Sequence, residues 1–115
     1  IASGGTWYFL EPGGSMVSDD WRRIGSTWYY FDASGAMATG WQAIGDSWYW
    51  LDDSGAMATG WRMINDAWYY FDGSGVMLSD AWIGDYYLLS SGEMATNQWV
   101  DGYYVGADGR WVRGA

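Results

Sequence analysis

The sequence predicts an all-β solenoid of stacked β-hairpins. Three observations support this prediction: a tandem repeat of about twenty residues, turn-forming residues inside each repeat, and strand-favouring aromatic residues on both sides of those turns. Each repeat is too short to bury a core by itself, so it must stack on its neighbours. The sequence shows no helical periodicity.

The repeat is clearest in three consecutive segments. WRRIGSTWYYFDASGAMATG is followed by WQAIGDSWYWLDDSGAMATG and then by WRMINDAWYYFDGSGVMLSD. Alignment on the aromatic pairs extends the pattern over residues 1–115 as a single repeat module. Its units cover residues 1–20 (a partial unit), 21–40, 41–60, 61–80, 81–98 and 99–115. Because the chain opens inside a repeat, we expect it to be a fragment of a longer protein.

Each full unit begins with a predicted hairpin. The residues at the hairpin tips tolerate the positive φ that two-residue turns require; they are Gly25-Ser26, Gly45-Asp46 and Asn65-Asp66. With Gly25-Ser26 at the tip, Trp21 pairs with Tyr30. The same register pairs Arg23 with Trp28.

Alternation along these strands divides the side chains between two faces. One face holds Trp21, Trp28 and Tyr30, and the other holds Arg22, Ile24, Tyr29 and Phe31. We expect the second face to form the core, which leaves the first face open to a ligand.

A connecting turn follows each full hairpin. Asp-x-Ser-Gly occurs at 32–35, 52–55 and 72–75, a pattern typical of a type I turn. These turns lack the alternating oxygen ligands of a Ca²⁺ loop. In the last two units the hairpins are shorter, and Asp85 and Gly102 replace the second Trp. We expect these two units to act as a cap or contact surface rather than as ligand sites.

Composition excludes several classes of function. The chain has 14 acidic residues, five Arg and a net charge of −9, so we expect no nucleic-acid partner. It has no Cys and no His, which removes thiolate metal sites and Ser/His or Cys/His catalysis. We therefore predict a non-catalytic protein with no catalytic residues, no metal and no cofactor. No apolar run approaches the length of a membrane span.

The aromatic spacing predicts a ligand cage. Each full unit has a Trp at its start, a second Trp seven residues later and an aromatic residue two positions beyond. Such π faces attract a quaternary ammonium group, and Met adds a polarizable wall. The acidic field also favours a cation. Two alternatives remain open: a glucan- or carbohydrate-binding repeat module, because aromatic platforms also stack on sugars, and a structural stalk.

The segment 40–60 carries a family resemblance. Its motif, Gly-Trp…Ile-Gly…Trp-Tyr-Trp…Gly-Ala-Met-Ala-Thr-Gly, closely resembles the choline-binding repeat of Gram-positive surface proteins. The resemblance covers nearly all of the chain and implies a left-handed superhelix with choline between consecutive hairpins. It also implies a secreted protein attached to the bacterial cell wall through choline-bearing teichoic acids, and a homodimer through terminal repeats.

Carried over position by position, the resemblance implies three cages and one partial site. The cages are Trp21, Trp28, Trp50 and Met57; Trp41, Trp48, Tyr70 and Met77; and Trp61, Trp68, Tyr87 and Met94. The partial site comprises Trp7, Tyr30 and Met37. A further junction offers Trp82, Tyr104 and Trp111, with Asp85 in place of the second Trp.

Overall fold

The fold consists of antiparallel β-hairpins. The computed structural model describes residues 2–3, 6–11 and 13–114, and every regular element within them is a β-strand. Each hairpin is a two-stranded sheet of its own. The chain divides into two compact units, residues 1–58 and 59–115. No helix in the described part of the chain is long and apolar enough to cross a membrane.

The first unit contains three hairpins. Their strands are β1 (Ala2–Ser3) with β2 (Thr6–Trp7), β3 (Asp20–Ile24) with β4 (Thr27–Phe31), and β5 (Gly40–Ile44) with β6 (Ser47–Leu51). In the second hairpin Trp21 lies opposite Tyr30, and Arg23 lies opposite Trp28. The register predicted from the turn residues is therefore confirmed.

The second unit also contains three hairpins. Their strands are β7 (Gly60–Ile64) with β8 (Ala67–Phe71), β9 (Ala81–Ile83) with β10 (Tyr86–Leu88), and β11 (Gln98–Val100) with β12 (Tyr103–Val105). At the tip of the first of these, Asn65 and Asp66 both have positive φ, 51° and 68°. The last two hairpins have strands of three residues, as the sequence predicted.

The core of each unit includes the last residue of the second strand in every hairpin from β3–β4 onwards. These residues are Phe31 and Leu51 in the first unit, and Phe71, Leu88 and Val105 in the second. Each forms an isolated β-bridge with the Met or Trp of the loop that follows it. Burial of Phe31 agrees with the predicted core face, but Ile24 on that face is 43% exposed because it lies beside the hairpin tip.

The connecting turns are stabilised by their first Asp. Asp32 Oδ1 accepts hydrogen bonds from the backbone N–H of Ser34 at 2.9 Å and of Ala36 at 3.0 Å. The Ser34 hydroxyl donates to the same oxygen, and this bond is the main cause that lowers the pKa of Asp32. The turn closes with a bond from Gly35 N–H to the Asp32 carbonyl. The Asp-x-Ser-Gly motif therefore forms the predicted turn.

Candidate functional site

In the first unit, aromatic side chains of neighbouring hairpins meet. The rings of Trp21 in β3 and Tyr49 in β6 lie 5.0 Å apart between centroids, tilted by 60°. Met57, in the loop after β6, donates its backbone N–H to the Trp28 carbonyl at 3.0 Å. Trp28 itself is 40% exposed. These four residues therefore surround an accessible junction between two hairpins.

The third aromatic residue at this junction differs from the sequence prediction. Tyr49 contacts Trp21, whereas Trp50 lies opposite Trp41 within its own hairpin. Tyr49 belongs to the face that we expected to form a closed core. In a stack, however, each hairpin turns one face towards its predecessor and the other towards its successor, so residues of both faces reach a junction.

The second unit holds a fuller version of the same arrangement. Trp61 and Trp68 of one hairpin lie 6.5 Å apart at an interplanar angle of 81°. Tyr86 of the next hairpin lies 5.4 Å from Trp61 at 70°. Met94 donates its backbone N–H to the Trp68 carbonyl at 2.8 Å. Trp61, Trp68, Tyr86 and Met94, together with Asp108, line a cavity of about 370 Å³.

Three of the four residues predicted for this cage thus meet around one cavity. The fourth, Tyr87, instead contacts Trp82 of its own hairpin at 5.1 Å, and Tyr86 takes its place. The physical reason is the same as for Tyr49 in place of Trp50. Consecutive hairpins contribute opposite faces to the junction between them. Asp108 was not foreseen, because it lies a further repeat along the chain.

The second predicted cage remains a prediction. Trp41 and Trp48 belong to the first unit, where their rings lie 6.3 Å apart at 82°. Tyr70 and Met77 belong to the second unit. There, Tyr70 contacts Trp61 at 5.2 Å.

The partial site at the start of the chain also forms a cavity. It measures about 390 Å³, and its lining includes Trp7, Tyr29, Met37 and Ser54. Met37 donates its N–H to the Trp7 carbonyl at 2.8 Å, as Met57 and Met94 do to their own partners. The predicted Tyr30 instead contacts Trp21 at 5.2 Å. The same exchange of neighbouring aromatic residues therefore occurs a third time.

The junction of the last two hairpins is built differently. Trp82, Tyr103 and Trp111 line a cavity of about 290 Å³, with Tyr103 in place of the predicted Tyr104. Trp111 donates its N–H to the carbonyl of Asp85, which confirms that Asp85 holds the position of the second Trp.

A charged residue of the chain is bound at this last junction. The guanidinium of Arg113 donates two hydrogen bonds to the Asp85 carboxylate, at 2.9 and 3.2 Å, and stacks 4.2 Å from the centre of the Trp111 ring. The Arg113 hydrogen bond lowers the pKa of Asp85. The chain therefore supplies its own cation here.

The fuller cage is suited to a soft cation. Two indole rings at nearly a right angle, a phenol ring and a Met side chain line one volume, and both aromatic rings and the thioether attract a soft cation. No basic side chain is among the lining residues that the structure describes. Nor do the described residues contain a group of His, Cys, Asp or Glu that could hold a metal ion.

Comparison with known families gives matches over most of the sequence. Residues 17–59 and 38–82 match a model described as choline-binding repeat. Residues 76–111 match a second choline-binding repeat model. Residues 1–16 match a putative cell wall binding repeat. No curated protein sequence matches the chain.

Solved structures give consistent matches. Choline binding protein F from Streptococcus pneumoniae, in the presence of a peptidoglycan analogue, is 42% identical with a TM-score of 0.90, and 98% of this chain and 39% of that chain are covered. The complex of CbpF with ipratropium is 42% identical, with a TM-score of 0.87 and coverage of 96% and 37%. The choline binding domain of Spr1274 from S. pneumoniae is 41% identical, with a TM-score of 0.61 and coverage of 66% and 96%. The chain thus spans less than two fifths of the CbpF chains that it matches.

Proposed function

The chain belongs to the choline-binding repeat family, and from this membership we propose that it is a non-catalytic module that binds the choline of teichoic acids. The observation that carries the proposal is the cavity of about 370 Å³ lined by Trp61, Trp68, Tyr86 and Met94. Trp21, Trp28, Tyr49 and Met57 are the corresponding residues of the first unit. The proposed location is the bacterial cell surface.

The chemistry of the cage favours a quaternary ammonium over other cations. Choline's trimethylammonium has no N–H, so it needs no hydrogen-bond acceptor and loses little when it leaves water for aromatic faces. Each cation–π contact contributes about 0.5–2 kcal/mol. After the cost of association, a few such contacts give affinity on the order of millimolar per site. Firm attachment to a polymer then comes from several sites acting together.

A relative supports this preference for quaternary ammonium groups. CbpF, 42% identical to this chain, was solved in complex with ipratropium, a molecule that itself carries a quaternary ammonium. The relative solved in the presence of a peptidoglycan analogue is in keeping with a partner in the cell wall. We extend the proposal to choline-bearing wall polymer as the natural partner.

The proposal includes a homodimer through the terminal repeats. Trp99 is 59% exposed and Tyr103 is 47% exposed, although both are large aromatic residues. Such side chains are enriched at protein interfaces. Sedimentation of the chain over a range of concentrations measures this part of the proposal, and a monomer at all concentrations contradicts it.

Binding to a choline-substituted matrix tests the main function. We expect the chain to be retained and to elute with free choline. In solution, calorimetric titration should show choline binding and no binding of glucan oligomers. Retention that free choline does not reverse, or titration by glucan alone, would favour the carbohydrate-binding alternative. A chain that binds neither would be a structural stalk.

Two neighbouring tyrosines provide a matched pair of variants for the site. Tyr86→Ala removes a ring that lines the cavity, so we expect choline to bind about 2- to 30-fold more weakly there. Tyr87→Ala removes a ring that contacts Trp82 instead, so we expect the choline affinity of this cage to stay within about twofold while the protein loses stability. Titrations followed by the indole NMR signals of Trp61 and Trp68 distinguish the two variants. The opposite ranking would restore Tyr87 to the cage.

A further inference from the structure

The cage of the second unit has one charged residue in its lining. Asp108 lines the same cavity as Trp61, Trp68, Tyr86 and Met94. It lies in the turn between Gly106 and Arg110, one repeat beyond the hairpin that supplies Tyr86. This turn packs directly on the Met wall, because a Cβ added at Gly109 would lie 2.5 Å from Met94 Cε.

The position of Asp108 has an equivalent in the first unit. Ser54 lines the cavity of Trp7, Tyr29 and Met37, and the following residue, Gly55, packs on Met37 as Gly109 packs on Met94. The corresponding position is also Ser in three other connecting turns, at Ser34, Ser74 and Ser91, and it is Gly13 in the turn after the first hairpin. Asp108 therefore places a carboxylate at a position where the other turns have a hydroxyl or no side chain.

A role in the turn alone does not require this charge. Asp108 Oδ1 accepts a hydrogen bond from Arg110 N–H at 2.9 Å, and at the corresponding position the Ser91 hydroxyl accepts one from Glu93 N–H at 3.3 Å. An Asn at this position can accept the same bond. The negative charge is thus separable from turn formation by a single substitution.

The carboxylate changes the class of cation that the cage can hold. A protonated primary amine is strongly hydrated and carries three N–H donors, for which the two Trp walls provide no acceptor. A carboxylate accepts charge-assisted hydrogen bonds, which are about twice as strong as those between neutral groups. The Arg110 guanidinium donates a hydrogen bond to the Tyr86 hydroxyl at 3.4 Å. Its positive charge partly offsets the negative charge of Asp108, but the guanidinium has no hydrogen-bond acceptor to offer an amine.

We propose that Asp108 makes the cage of Trp61, Trp68, Tyr86 and Met94 a site for ammonium groups that bear N–H, such as the headgroup of ethanolamine, in addition to choline. The cavity of Trp7, Tyr29 and Met37 has Ser54 instead and no carboxylate among its described lining residues. This inference rests on the proposed function, since it concerns the same cage. It gives one repeat module two selectivities for the amino alcohols of a wall polymer.

Titration of the whole chain with choline and with ethanolamine tests this inference, with the indole signals of Trp61 and Trp68 reporting on the cage. Asp108→Asn keeps the turn hydrogen bond and removes the charge, and Asp108→Ser introduces the residue of most other turns. We expect both variants to weaken ethanolamine binding about tenfold and choline binding about threefold, because choline loses only the charge whereas ethanolamine also loses hydrogen bonds. Thermal denaturation checks that both variants remain folded.

The reverse substitution provides a gain-of-function arm. Ser54→Asp should confer ethanolamine binding on the cavity of Trp7, Tyr29 and Met37. Ethanolamine binding that is absent from the unsubstituted chain, or unchanged in Asp108→Asn, would overturn the inference. If choline binds nowhere but ethanolamine binds in an Asp108-dependent manner, the proposed function is overturned, and only the role of Asp108 towards ammonium groups that bear N–H stands.

Discussion

Replacing Gly109 by Ala tests whether the last connecting turn holds the Met wall of the cage. Gly109 has φ of 83°, and an added Cβ would lie 2.5 Å from Cε and 2.6 Å from Sδ of Met94. Gly102, at the tip of the β11–β12 hairpin, has a nearly equal φ of 85°, and among the described residues nothing lies within 4 Å of its added Cβ. Gly102→Ala is therefore a matched control for backbone strain.

The two variants share one cost and differ in another. An Ala in the left-handed region costs about 1–2 kcal/mol, so both substitutions should lower the free energy of unfolding by that amount. Gly109→Ala should lose about 0.5–1.5 kcal/mol more, because the end of Met94 has to leave its rotamer. Displacing one wall contact of an apolar pocket costs about 1 kcal/mol, which corresponds to about fivefold weaker choline binding at this cage.

Urea denaturation and calorimetric titration with choline measure these two effects. We expect Gly102→Ala to lose stability with unchanged choline affinity, and Gly109→Ala to lose both. Equal choline affinities in the two variants would show that Met94 is not held by this turn. A Gly109→Ala variant as stable as the unsubstituted chain would refute the packing argument altogether.

Two further predictions concern stability. Phe71→Ala should lower the free energy of unfolding by about 3–5 kcal/mol, because Phe71 is 0% exposed. Met63→Ala, at a side chain that is 55% exposed, should change this free energy by less than about 0.5 kcal/mol. Similar losses for the two variants in urea denaturation would contradict the assigned core. Arg113→Ala should slightly lower the melting temperature near neutral pH, because the Arg113 hydrogen bond holds the pKa of Asp85 below its ordinary value. A depressed carboxyl pKa stabilises the fold above the unfolded-state pKa, and this stabilisation is lost as the pH falls through the folded-state pKa. The gap in melting temperature should therefore narrow in acid, and a gap that does not change assigns the effect to the stacking of Arg113 on Trp111.

The hairpin register could be predicted from sequence because its determinants are local. Tip residues such as Asn65 and Asp66 accept positive φ. Once the two tip residues are known, they determine which residues of the two strands lie opposite each other. The same reasoning located Asp85 at the position of the second Trp, although that hairpin is shorter. The Trp and Met residues that line the cavity of the second unit are among those that the family resemblance implied.

The third aromatic residue of each cage could not be predicted in this way. Alternation assigns Tyr49 and Trp50 to opposite faces, but it does not tell which face of a hairpin meets the preceding one. That choice depends on how successive hairpins stack, which is a property of packing rather than of a single repeat. Asp108 was missed for a related reason, because it reaches the cavity of Trp61 from a turn more than forty residues further along the chain.

The hairpins within each unit are joined by few backbone bonds. In the described residues each sheet has only two strands. The loop after the β5–β6 hairpin, for example, reaches the β3–β4 hairpin through the hydrogen bond from Met57 N–H to the Trp28 carbonyl. The amide proton of Met57 or Met94 is therefore a natural reporter of whether a junction is closed. In deuterated solvent these amides should exchange by local opening of one junction rather than by unfolding of the whole unit. A ligand that fills the cage bridges the same two hairpins through side chains, so the proposed choline-bearing polymer should also slow that exchange, one junction at a time.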